Sequence, residues 1–562
     1  MKTRILAAII AASLFVPAAQ ATIIPVNQDG AGVGLNDPTP RAPEGGNPGT
    51  TVGQQRQIVY QFAADLWGSV LTTDIDVKVS ASFAALSCNA SSATLGSAGA
   101  WWLDWNFPNA EFADTIYHAA LANQIAGENL NAAEPEYEDP DNVEIHSQFN
   151  ANLGQSNCLA GSGWYYGLDG NTPAGQISFL DVVLHEIGHG LGFSGFVGYS
   201  DGVLGERVGV PGAADIYTHY AYDNVTGARF TDPAMTDALR TVALKTPGQT
   251  SWDGDAGKAQ APLALGPVVA IQITGSLTAN YPAFGTASFG PAATSTNFNG
   301  NLVIVNDGVG DGADACEPLP AGSLTGKVAF INRGGATCSS ATPSIGFEGK
   351  AKNAQNAGAI AVIIGNVASS GTPGTAPGMA DDPNFTVTIP TLSLNLNDAN
   401  AIRAQATGMH AGFGTVAGSL AGADSGNRPL LYTPTTVANG STFSHYDISL
   451  TPNALMEPFI NDDLAGNFRT DLTLAVFQDE GWVLKSGNAR IGQAGCDTWV
   501  PLYTNPGLMA GANVIANDRL CSASGSLSTR AACLKAVAAT LKAQGLITST
   551  QERKINTCAM VH

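Results

Sequence analysis

Residues 178–192 constrain the fold more than any other stretch of this 562-residue chain. Leu180, Val183, Leu184, Ile187 and Leu191 recur at the spacing of one helical face. Ser178 with Asp181 three residues on reads as a helix start, and Gly192 as its stop. Inside this helix lies His185-Glu186-Ile187-Gly188-His189. Side chains at i and i+4 leave a helix from one face, so both imidazoles can reach a single ion. This H-E-x-x-H pattern points to zinc, which polarises a carbonyl and lowers the pKa of a water, with Glu186 taking the proton. The competing reading is a pair of core histidines; the amphipathic setting and Gly190 and Gly192 favour the metal. A catalytic zinc takes three protein ligands and keeps one position open. The other histidines are His118, His146, His219, His410, His445 and His562, and Glu206 is the carboxylate alternative, which the glycines at 190 and 192 disfavour.

The N-terminus addresses the compartment. Lys2 and Arg4 precede an apolar run over residues 5–16, Pro17 ends it, and Ala19-Gln20-Ala21 has the form of a cleavage site. Residues 1–21 read as a secretory signal peptide, too short for a membrane span. No later apolar run reaches ~18 residues, so no membrane span is expected. Eight cysteines, at 88, 158, 316, 338, 496, 521, 533 and 558, include no C-x-x-C pair. In an exported chain they read as disulfides. Proximity suggests Cys316–Cys338, position suggests Cys88–Cys158, and the last four staple the tail, although spacing does not fix connectivity. A net charge of −21 disfavours nucleic acid and anionic membrane surfaces.

Residues 22–54 are rich in Gly, Pro, Asn and Asp and read as an arm. Ile58, Phe62 and Leu66 predict a helix over 55–67. Alternation from Ile75 to Phe83 predicts a half-buried strand, residues 112–130 look helical, and another strand begins near Ile145. Beyond residue 266 the short apolar runs 303–305, 328–331 and 361–364 read as buried strands, with a helix over 348–357 between the last two. A strand over 386–394 and a helix over 398–406 follow, and Gly- and Ala-rich sequence at 412–426 closes this α/β module. The tail from Gly487 carries a helix over 529–544.

Gly188-His189-Gly190-Leu191-Gly192-Phe193 is similar to the metzincin pattern H-E-x-x-H-x-x-G-x-x-H/D, but Gly195 stands where the third ligand would be. One metzincin branch, the leishmanolysin-like proteases, receives its third histidine after a long insertion. Ser444-His445-Tyr446-Asp447 and Asn453-Ala454-Leu455-Met456-Glu457-Pro458 resemble that branch, as does the closing helix within 472–482. The resemblance implies His445 as third ligand and a methionine turn at Met456 beneath the metal. His219 is the rival, nearer in sequence but without a following methionine turn. Taken alone, Met456 would read as core filler.

The residues between Gly192 and His445 are too many for a loop, so a folded module must sit there. Residues 324–334, 350–359 and 389–394 resemble a protease-associated (PA) domain, a non-catalytic module, which implies a role in substrate recognition or in covering an active site. Asp307, Asp311 and Asp314 lie in a Gly-rich loop without EF-hand spacing, so Ca2+ has no motif behind it and a solvated acidic turn is the plainer reading. Trp101, Trp102 and Trp105 read as a core or rim cluster rather than a carbohydrate surface.

The expected fold is α+β: a metzincin-like core of twisted sheet, long active-site helix and helical C-terminal subdomain, interrupted by a small α/β PA domain and followed by a disulfide-rich helical tail. The expected divisions are 1–21, 22–54, 55–265, 266–427, 428–486 and 487–562. The expected function is a secreted, monomeric zinc endopeptidase acting on proteins or peptides, with Glu186 as general base and His185, His189 and His445 as ligands. The alternative is a non-catalytic binding module on a protease-like fold; Glu186 and both helix histidines favour the enzyme.

Overall fold

Val77, Val79 and Ala81 are buried and alternate with half-buried Lys78, Ser80 and Ser82. That period of two makes Val77–Ala84 a strand with one face on a core. In the computed structural model, which describes residues 22–132, 142–310, 312–335, 337–405, 407–460, 464, 468–523 and 525–560, this strand is the second of a four-stranded sheet. The strands are β1 (Ile23–Asn27), β2 (Val77–Ala84), β3 (Gly96–Ala100) and β4 (Ile145–Asn150), in spatial order β1-β2-β4-β3. β1, β2 and β4 run parallel, with Ile23 opposite Val77 and Val79 opposite Ile145. β3 pairs antiparallel to β4, Ala98 opposite Ser147, and stands at the sheet's edge. The signal-peptide reading of residues 1–21 lies outside the described residues.

Two helices pack on this sheet. α1 (Val52–Val70) is capped by Thr51, whose hydroxyl accepts the Gln54 N–H at 3.2 Å. Its buried stripe is Val59, Phe62, Ala63, Leu66, Trp67 and Val70. Ile58, expected on that face, is half-buried, because the stripe is centred one residue later. α2 (Phe179–Leu191) starts at Ser178, whose hydroxyl accepts the Asp181 N–H at 3.2 Å, and stops at Gly192 with φ +150°. Trp67 is fully buried, and its indole N–H donates to the Leu184 carbonyl at 3.2 Å, tying α1 to α2. Residues 112–130 are not one helix: Thr115–His118 is a buried strand, as its β-branched and aromatic residues favour, and only Ala119–Ala126 is helical.

The chain parts into two compact units: one built from the segments up to Gly266 and from Gly422 onward, the other Pro267–Ala421. The second unit is an eight-stranded sheet of β5 (Pro267–Gly275), β6 (Ala279–Tyr281), β7 (Phe284–Thr286), β8 (Asn299–Ile304), β9 (Val328–Asn332), β10 (Ala361–Gly365), β11 (Thr391–Leu394) and β12 (Met409–Leu420). Their spatial order is β6-β5-β12-β8-β9-β10-β11-β7, with β8 to β11 parallel. Helices α3 (Phe347–Asn356) and α4 (Leu396–Arg403) cover it. Val328 and Phe330 join one apolar cluster with Ile363, while Ala329 and Ile331 join another with Val362 and Ile364. Both faces are covered, so the central strands read as unbroken apolar runs. The Gly- and Ala-rich sequence from 412, expected to close the module, falls largely in the twelve-residue strand β12.

Pro267 is the Cα partner of Leu420, so the unit's two ends meet on neighbouring strands. Little loop-closure entropy is then needed to bridge the gap. Replacing residues 267–421 with a short linker is expected to leave a folded remainder with native near-UV circular dichroism and a cooperative melt. A remainder with secondary structure but no near-UV signal would show that it cannot stand without the insert.

After the insert, helix α5 (Thr473–Glu480) ends at Gly481. The tail folds as a hairpin, β13 (Asn488–Ile491) and β14 (Cys496–Pro501), with helices α6 (Ala510–Ser522), α7 (Leu527–Ala543) and α8 (Ser549–Cys558) around Ile491, Val500, Val514, Leu534 and Ile555. Arg519 of α6 pairs with buried Asp65 of α1. The disulfides are Cys88–Cys158, Cys316–Cys338, Cys496–Cys558 and Cys521–Cys533. Among the described residues no helix is long and apolar enough to cross a membrane.

Candidate metal centre

Three imidazole nitrogens converge at the middle of α2. The Nε2 atoms of His185 and His189 are 3.0 Å apart, and each is 3.2 Å from Nε2 of His445. Every Nδ1 is already engaged by a carbonyl: His185 with Leu455 at 2.7 Å, His189 with Phe193 at 2.7 Å, and His445 with Ser441 at 2.9 Å. A carbonyl only accepts, so each Nδ1 carries the proton and each Nε2 presents a bare lone pair. Burial holds all three well below the usual imidazole range, to about 4 for His185 and about 3 for His189. Three lone pairs at this spacing repel one another unless a cation lies between them. Tetrahedral zinc with bonds of roughly 2.0–2.1 Å places its nitrogens about 3.3 Å apart, so the trio suits such an ion. Among the described residues, one other group could hold a metal: Asp307, Asp314 and Glu317, with ligand atoms within 4.8 Å of one another. There the buried Lys350 ammonium donates to the Asp314 backbone carbonyl. Asp311 lies outside the described residues.

The glycines around the motif are places where neighbours approach too closely for a side chain. A Cβ on Gly188 would lie 2.9 Å from Met456 Sδ, so Met456, fully buried, lies directly against the helix turn between the two histidines. A Cβ on Gly190 would collide with Ile145 of β4, one on Gly192 with Glu480, and one on Gly195 with Phe443. The turn bearing Met456 has its own bonds: Ala454 N–H to Glu457 Oε1 at 2.9 Å, and Tyr446 N–H to the Met456 carbonyl at 2.9 Å.

Glu186 is 6% exposed, and burial pushes its carboxyl up to about 8. It lies against edge strand β3: a Cβ on Gly96 would be 2.5 Å from Glu186 Oε1. The small residues of β3, Gly-Ser-Ala-Gly-Ala, thus leave room for the carboxylate beside an edge that, among the described residues, has no strand paired outside it.

The other candidates are occupied elsewhere. His219 Nε2 lies 2.9 Å from Thr115 Oγ1, and its ring stacks on Phe112 at 4.3 Å. His118 Nε2 is 2.8 Å from Ser194 Oγ, the His146 ring meets Trp101 edge-on, and His410 lies beside Asn299. Glu206 is exposed in a 3-10 turn, and His562 lies outside the described residues. Trp101 and Trp105 are exposed, 49% and 54%, so they form a rim rather than a core.

Glu480 behind Gly192 is 1% exposed, and among the described residues neither carboxyl oxygen has a hydrogen-bond partner. Burial first, then Asp215 and Asp479, hold it well above the usual carboxyl range. The folded state keeps a proton that the unfolded chain releases above about pH 4.3, so stability falls as pH rises beyond that point. Glu480→Gln removes this linkage. The variant's Tm advantage over the parent should grow from pH 5 to pH 8, by about 1 °C for each ~1 kcal/mol released in a folded unit of this size. An advantage independent of pH would mean that the carboxyl titrates alike in both states.

Comparison with known proteins places part of the chain. Residues 266–402 match the PA domain family, so the inserted unit carries a PA domain. Strand β12 continues the same sheet beyond the matched residues. No curated protein matches the chain. Similar solved structures include a zinc aminopeptidase from Bacillus subtilis, 22% identical with a TM-score of 0.18, covering 29% of this chain and 37% of that one. A peptidase M28 precursor from Shewanella amazonensis is 18% identical with a TM-score of 0.19, covering 29% and 40%, and an aminopeptidase from Aneurinibacillus is 19% identical with a TM-score of 0.18, covering 36% and 41%. The chain spans about two fifths of the length of these structures. At such TM-scores the likeness bears on none of the chemistry at the three histidines.

Proposed function

We propose that the chain is an exported zinc endopeptidase of the leishmanolysin-like metzincin kind, with a PA domain inserted between its second and third ligands. The observation that carries the reading is the convergence of three bare Nε2 lone pairs from His185, His189 and His445, with a buried carboxylate next in sequence. The methionine turn against Gly188 adds support. Zinc, when bound, polarises the scissile carbonyl and acidifies the attacking water. The three carbonyls on Nδ1 hold the imidazoles in the ligating tautomer. Glu186 takes the water's proton and delivers it to the leaving amine, so one proton moves in total.

The free edge of β3 beside Glu186 suits an extended peptide pairing along it by backbone hydrogen bonds. A strand edge engages the middle of a chain as readily as its end, which favours endopeptidase over exopeptidase action. The PA domain serves substrate recognition in this reading, and four disulfides suit an extracellular monomer. Purified protein should carry near one zinc per chain. It should cleave casein and N-acetylated internal peptides, lose this with 1,10-phenanthroline, and regain it with added Zn2+. Full activity in metal-free protein would overturn the reading, and cleavage confined to peptides with free N-termini would make it an aminopeptidase.

A further inference from the structure

The three ligand histidines are not braced alike. His189 and His445 give their Nδ1 protons to carbonyls four residues away, Phe193 and Ser441, so local backbone fixes each ring. The acceptor for His185, the Leu455 carbonyl, is 270 residues distant. Its orientation depends on whatever holds the Leu455 peptide. Asp471, 7% exposed, does so: its Oδ2 accepts the Leu455 N–H at 2.7 Å. Its Oδ1 accepts the Leu472 N–H at 2.6 Å, just ahead of α5. Asp471 adopts φ +40°, a conformation uncommon for a residue with a side chain, and it persists only where the surroundings enforce it. The Thr470 N–H bond to the Gly507 carbonyl, 2.8 Å, fixes the preceding peptide.

We propose that Asp471 is a positioning residue for the metal ligand His185, acting through the Leu455 peptide. The inference rests on the metal-site reading above. The carboxylate fixes the plane of that peptide so that its carbonyl faces His185 Nδ1. By accepting the Leu455 N–H it also polarises the peptide and strengthens the carbonyl as an acceptor. The turn does not need Asp471 for its shape, because Glu457 and Tyr446 bond its other positions. The bond from Asp471 falls on the one residue whose carbonyl meets a ligand.

The test compares Asp471→Ala, Asp471→Asn and His185→Ala in the full chain. Zinc affinity is read by competition with a chromophoric chelator, and site geometry by the visible absorption of the Co2+-substituted protein. Asp471→Ala should weaken zinc binding about 10–100-fold, the cost usual for a lost partner behind a ligand, and shift the cobalt band. Asp471→Asn, which keeps an acceptor oxygen for Leu455, should recover most of the affinity. If the alanine variant does not fold, Asp471→Ser, able to cap α5 but too short to reach Leu455, replaces it. Parental affinity and an unchanged cobalt spectrum in the alanine or serine variant would overturn the proposal, as would a lowered Tm of the metal-free protein with no change in affinity. His185→Ala separates the two readings: if it binds zinc as the parent does, the metal site itself is wrong; if it loses zinc while Asp471→Ala keeps it, only the role of Asp471 falls.

Discussion

Glu186→Gln is expected to keep its zinc and lose hydrolysis by roughly 10²–10⁴-fold, the range typical of general acid–base assistance. Glu186 is no part of the triangle of nitrogens, whose Nδ1 partners are all backbone carbonyls, so an uncharged isostere leaves the ligands in place. Space is not at issue either, since the amide matches the carboxylate that already fits against Gly96. The decisive measurement is kcat/KM on a quenched internal peptide, beside zinc content and Tm of the same preparation. A rate close to the parent's with full zinc would remove Glu186 from the mechanism. A low rate with lost zinc would make it a structural support of the site.

The helix that carries the motif was legible because its residues agree at several levels. The apolar spacing from Leu180 to Leu191, the cap at Ser178 and the stop at Gly192 all specify one element, and the structure places it at Phe179–Leu191. The buried strands of the insert were legible for a related reason: with both faces covered, Val328 to Ile331 and Ala361 to Ile364 have no polar positions to blur the pattern. Edge strand β3 was not legible. Gly96, Ser97, Ala98, Gly99 and Ala100 carry almost no hydrophobic signal, because Gly96 must clear Glu186 and the strand stands at the sheet's edge. Strand β12 hid likewise in Gly- and Ala-rich sequence, since its place depends on pairing with β5 and β8 rather than on its own alternation. The carbonyls of Phe193, Ser441 and Leu455 leave no trace in residue type. Asp471 leaves a faint one, an acidic residue just before an apolar helix, which reads as an ordinary cap. Nothing in local spacing links His445 to a helix 256 residues earlier, and only the family resemblance pointed to it.

His445→Ala should therefore have the largest effect on metal content, while His219→Ala should have almost none. Removing His445 leaves two nitrogens 3.0 Å apart on one helix face. Zinc held by two protein ligands has neither a closed shell nor a shaped open position. The vacated imidazole also leaves a gap, because His445 is only 6% exposed and its ring lies 4.6 Å from that of His189. Zinc content should fall to a small fraction of the parent's after dialysis against a mild chelator, and casein hydrolysis should fall with it. His219 shares none of this: its Nε2 is engaged by Thr115 and its ring rests on Phe112, away from the converging nitrogens. Its loss should lower Tm modestly and leave zinc and activity near parental values. The comparison is made on variants shown by circular dichroism to be folded, so that global unfolding cannot pass for a lost ligand. If His219→Ala lost the metal and His445→Ala retained it, the third ligand would be His219 and the convergence at His445 would not describe the zinc-bound protein.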